Sequence, residues 1–144
     1  MKSIGSFSVF ENTNKASYLW LGIAFVVSFF VVGIPYWQIP YSKVSLPSTL
    51  YGMELLVVAL AAASTRIFGR AHFIASAVVA GVAVPTAVLA RVFVETSVDP
   101  TSHNLWPFEL IIALMVGLFC SLAGALAGSA VSFFAREKMN LKDQ

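Results

Sequence analysis

Apolar positions in this chain fall into four long unbroken runs, with short polar connections between them. The runs do not alternate with period two, so they do not read as half-buried strands. An apolar run of about 20 residues, wound as a helix, crosses roughly 30 Å of hydrocarbon. The pattern predicts spans at residues 18–34, 49–68, 73–94 and 108–134. The second has the weakest signal, because it holds Glu54 and ends in Ser64, Thr65 and Arg66. Residues 1–17 are polar and rich in Ser and Asn, with Phe7, Val9 and Phe10 interspersed, and read as a loose lead-in. Span one is too long for a signal-peptide core. Gly33-Ile34-Pro35-Tyr36-Trp37 lacks a small-x-small cleavage site, so this span is expected to remain.

Composition supports lipid as the solvent. Of the 144 residues, 58% are hydrophobic and only 11% charged, against about 25% charged in soluble domains. The predicted fold is therefore an all-α integral membrane protein, a single four-helix transmembrane bundle over residues 1–144. The net charge of +2 is small and the basic residues form no patch, which argues against nucleic acid as a partner. Cys120 is the only cysteine, so no intrachain disulfide forms, and thiol redox chemistry and soft-metal transport lose support.

Lys and Arg in short connections set orientation. Lys2, Lys15, Arg66, Arg70, Arg136, Lys138 and Lys142 fall on one side of the predicted bundle, and only Lys43 and Arg91 on the other. The richer side is expected to be cytoplasmic, with both termini there and the bacterial inner (plasma) membrane as the location. Tyr36, Trp37, Tyr41, Tyr51 and Trp106 would then form an outer aromatic belt, and Tyr18, Trp20, Phe133 and Phe134 an inner one.

Small residues let helices approach closely where lipid supplies little hydrophobic drive. Span four has Gly117, Ser121, Gly124, Ala125, Gly128, Ser129 and Ser132, including a GxxxG match at Gly124 and Gly128. Spans two and three are rich in alanine, so spans two to four are expected to pack closely. Span one, with Phe25, Phe29 and Phe30, would face lipid more. The GxxxG serves packing within the chain or a homodimer. Pro85 lies inside span three, where a bend is expected.

Candidate chemistry collects at the proposed outer mouth. Leu50-Tyr51-Gly52-Met53-Glu54 and Leu105-Trp106-Pro107-Phe108-Glu109 read alike, each opening an apolar run. A carboxylate in a membrane helix marks a candidate functional site. If the likeness is a repeat, the chain is two hairpins related by an axis along the membrane normal. Glu54 and Glu109 would then lie at similar depth, with Arg91 as their counter-ion in a buried triad suited to moving a proton or holding a cation. The plainer readings are that each glutamate complements the positive end of its helix dipole, and that Arg91 pairs with Glu95 one turn on or snorkels to the headgroups. His103 joins the candidate ion-binding residues. With no second histidine at ligand spacing, no metal and no cofactor are expected.

No nucleophile elbow, phosphate-binding loop or dinucleotide fingerprint occurs, and His72 and His103 fall on opposite sides, which excludes one haem held by both. The leading expectation is a small inner-membrane transport or ion-conducting protein using Glu54, Glu109, Arg91 and His103. The alternative is a non-catalytic accessory or assembly subunit of a larger membrane complex. A third is a membrane enzyme of the outer leaflet. Four short helices hardly enclose a path, so a homo-oligomer or a larger membrane complex is implied beside the bilayer.

Overall fold

A computed structural model describes residues 4–40, 43–44, 52–98 and 105–142. They form four helices: α1 (Ile4–Gln38), α2 (Met53–Ile67), α3 (Phe73–Val98) and α4 (Trp106–Lys142). Three hold stretches long and apolar enough to cross a membrane: Lys15–Gln38, Phe73–Val98 and Trp106–Met139. This marks a membrane protein. The helix α2 is shorter than the expected second span: its 15 residues reach roughly 22 Å. Gly52 is extended and ends the helix on that side.

The first helix is longer than the hydropathy pattern predicts. It begins at Ile4 and not near Tyr18. No proline interrupts residues 4–34, and polarity alone does not stop a helix once its turns are nucleated. At its other end α1 runs through Pro35 to Gln38, four residues past the expected boundary. Pro85 likewise lies inside a continuous α3.

The helix α3 is the most enclosed of the four, packing against α1, α2 and α4. Its buried positions include Ser76, Ala77, Ala80, Gly81, Val84, Ala87, Val88 and Arg91, a broad face of mostly small side chains. In contrast, the described side chains of α1 bury a narrow stripe of Ala24, Ser28, Val32 and Tyr36, one residue per turn. The faces carrying Ile23, Val26 and Phe30 on α1, and Ile111, Met115 and Phe119 on α4, are exposed. Phe25 and Phe29 are half-buried and stack on one another, so part of the expected lipid-facing set folds back onto its own helix.

The GxxxG of α4 works within the chain. A methyl group at Gly124 would overlap the Ala59 carbonyl oxygen of α2, and one at Gly128 would fall 2.7 Å from the Ala63 carbonyl oxygen. Glycines and alanines four apart thus mesh in parallel, and α2 and α4 touch backbone to backbone. About two turns earlier, Gly117 rests on the carbonyl of Gly81 in α3. That carbonyl has no intrahelical donor, because residue 85 is a proline. The Gly117 Cα is thus placed for a C–H···O contact with an acceptor the helix leaves open. Ser121, fully buried, adds a 2.7 Å hydrogen bond to the Ala77 carbonyl oxygen across the same interface.

At the opposite end of α2, Arg66 donates from Nε to Ser129 Oγ of α4 at 2.9 Å and from Nη1 to the Ala71 carbonyl. One side chain thereby fastens the α2–α3 turn to α4. Gly69 in that turn lets the backbone meet Trp20 of α1, since a Cβ would stand 2.7 Å from the Trp20 Cβ. The next residue, Arg70, takes the left-handed conformation, with φ 48°.

Candidate functional site

Where α1 ends, the backbone lacks a donor. The Tyr36 carbonyl would accept from the N–H of residue 40 in a regular helix, but residue 40 is proline. Ile39 reaches it only weakly, at 3.4 Å. Arg91 of α3 supplies the missing donors. Its Nη1 donates to the Tyr36 carbonyl at 2.7 Å and its Nη2 to the Ile39 carbonyl at 2.6 Å. The guanidinium lies over the Tyr36 ring, 4.9 Å from its centroid, and Nε donates to Glu95 Oε1 at 2.8 Å. A cation at a helix C-terminus meets the negative end of the dipole as well as the open carbonyls. Arg91 is thus a helix cap supplied by a neighbouring helix.

This arrangement accounts for a charge with only 4% of its surface exposed in an apolar bundle. A buried guanidinium is tolerated when its N–H groups are met and a carboxylate balances it. Glu95, one turn further along α3, is about one third exposed and provides that balance. Trp37 adds a second tie between the same helices, donating from Nε1 to the Ala87 carbonyl at 2.9 Å. Tyr36, expected in the aromatic belt, is instead only 2% exposed and belongs to the core. Burial follows from its place on the Ala24–Ser28–Val32 stripe.

The two glutamates do not share a level. Ala59 of α2 and Gly124 of α4 touch, which sets the register of these parallel helices. Glu54 lies five residues from that contact and Glu109 fifteen, in the same direction, so they are separated by roughly 15 Å measured along the helices. The expectation of similar depth is overturned by this slip of register. Arg91 and Glu109 are nearly level, roughly 15 and 12 Å along their helices from the Gly81–Gly117 contact.

Each glutamate occupies the first turn of its helix. The Glu54 carboxylate curls back over Gly52, filling the space a Cβ there would take. Gly52 offers no side-chain cap, and the acid stands beside the open N–H groups of the first turn. Both Glu54 and Glu109 are partly buried. The ion pair of Arg91 among the described residues is with Glu95, the local pairing one turn apart. His103 lies outside the described residues. Among those described, no group of three His, Cys, Asp or Glu residues stands ready to hold a metal ion.

Sequence reading missed the roles of Tyr36, Ile39 and Pro40. The signal was present: a proline four residues after a buried helical position announces an orphan carbonyl. Fold and site together define an all-helical membrane protein with a capped, ion-paired corner where α1 meets α3. No family model, characterised protein or solved structure matches the chain.

Proposed function

We propose that this chain is a structural subunit of the membrane, a rigid bundle that packs against a larger assembly in the lipid and has no transport cycle of its own. In this reading α2 also lies across the bilayer, both termini face the cytoplasm and the inner membrane is the location, in keeping with the one-sided Lys and Arg. The observation that carries the proposal is the way the interior is closed. Backbone meets backbone at Gly124–Ala59, Gly128–Ala63 and Gly117–Gly81, with no room for an added methyl. Arg91, the one deeply buried charge among the described residues, is held by Glu95 and two carbonyls. Glu54 and Glu109 then serve as helix-start carboxylates. Blue-native electrophoresis of mildly solubilised native membranes tests this. The chain is expected to migrate in a complex well above its 15.5 kDa, and deleting it is expected to deplete that complex. Migration as a lone protomer would contradict the reading.

A second reading, ion or proton transport by Glu54 and Glu109 with Arg91 as counter-ion, draws support from one observation. Both acids are partly buried at helix starts, and Glu109 is level with Arg91. Substitution of both acids in a flux assay separates it from the first.

A further inference from the structure

We propose that the cavity where α1 and α3 finish binds the phosphodiester head of a zwitterionic membrane phospholipid, anchored by Arg91. The cavity holds about 290 Å³, is open on one side, and is lined by Trp37, Ala90, Arg91, Val94 and Glu95. It lies at the boundary between apolar and polar surroundings, since the apolar stretch of α1 ends at Gln38 and that of α3 at Val98. Lipid headgroups and tryptophan side chains occupy that level.

Arg91 carries five N–H groups. Nε, Nη1 and Nη2 each spend one, on Glu95, Tyr36 and Ile39. One N–H on each terminal nitrogen has no acceptor among the described residues. Arg91 lines the cavity, so an acceptor there can meet donors that the described residues leave open. Charge-assisted N–H donors of a guanidinium suit the oxygens of a phosphodiester. Trp37, Ala90 and Val94 give an apolar wall for the glycerol and the first methylenes. The volume equals roughly ten waters, the size of a headgroup and not of a whole lipid, so the acyl chains leave by the open side. Glu95 already neutralises the guanidinium, which favours a head of zero net charge over a free phosphate dianion or an anionic lipid.

Native mass spectrometry of the full chain, released from nanodiscs, tests this. Nanodiscs of phosphatidylethanolamine, phosphatidylglycerol and a phosphorus-free glycolipid are compared. Wild type is expected to keep one phosphatidylethanolamine, at least tenfold more often than either other lipid. Val94→Trp and Ala90→Phe fill the cavity without touching the Arg91 hydrogen bonds. Both are expected to lose the retained lipid at least tenfold, and Val94→Trp, at an exposed position, to keep the wild-type melting temperature. Retention of the glycolipid, equal retention of phosphatidylglycerol, no retention at all, or full retention in a correctly folded Val94→Trp would each overturn the proposal. So would displacement of the lipid by millimolar glycerophosphoethanolamine, which would make the site one for a soluble phosphodiester.

Discussion

Arg91 hydrogen-bonds to the Tyr36 carbonyl at 2.7 Å because Pro40 cannot. A gap in the backbone of one helix is thus filled by a side chain of another, and the buried charge is a consequence of the proline. The coupling gives the first prediction. Arg91→Ala should lower the unfolding free energy by about 3 kcal/mol, since it takes away the Glu95 ion pair and the donors to two carbonyls. Pro40→Ala restores an N–H at the position Tyr36 lacks. In the Arg91→Ala background it should recover about 1 kcal/mol, and in wild type it should recover nothing. Unfolding in mixed micelles of the four proteins measures the coupling; strictly additive effects would show that the two residues are unrelated.

The helix contacts predict a graded series. Gly124→Ala places a methyl on the Ala59 carbonyl and should cost about 3 kcal/mol, because backbone, and no flexible side-chain end, must move. Gly128→Ala meets the Ala63 carbonyl oxygen at 2.7 Å and should cost less, about 1–2 kcal/mol. Gly22 has nothing within 4 Å, so Gly22→Ala should stabilise by up to about 1 kcal/mol through helix propensity. Thermal melts of the three variants check the order.

Ser121 carries the buried polar tie between α3 and α4. Ser121→Ala should cost about 0.6 kcal/mol, the usual worth of an interhelical bond in lipid. Ser129→Ala removes the acceptor for Arg66 Nε and should increase proteolysis in the turn around residues 68–72. Limited proteolysis in micelles reads the second effect.

Glu54→Gln and Glu109→Gln should each lower stability by about 0.3–1 kcal/mol, the contribution of an acid near a helix start. Gly52→Ala displaces only the flexible end of Glu54 from a backbone geometry that alanine also adopts. It should therefore cost no more than Glu54→Gln does. A much larger loss in any of the three would assign these acids a further role.

Much of the fold was legible in the sequence. Continuous apolar runs locate the four helices, and the Gly and Ala positions mark the surfaces that meet. What hydropathy does not carry is register. Glu54 and Glu109 look equivalent along the chain, yet the Ala59–Gly124 contact slides one helix against the other and separates them. The spacing of Arg91 and Glu95 made their pairing readable. The attachment of Arg91 to α1 was less so, because it depends on a carbonyl and carbonyls are common to every residue. Residues 4–17 are helical although their polarity reads as a loose lead-in. Their Ser and Asn content lowers apolarity without adding a stop. Tyr36 shows the converse error: an aromatic at a span boundary reads as interfacial until the stripe it completes is seen.

The central claim, a closed bundle whose acids are structural, meets its most direct test in proteoliposomes. Proton and monovalent-cation flux would be recorded for wild type, Glu54→Gln and Glu109→Gln, each verified as folded. The expected result is flux no greater than in protein-free liposomes for all three. Flux in wild type that either substitution abolishes would contradict the claim and return the two glutamates to the working site of a transporter.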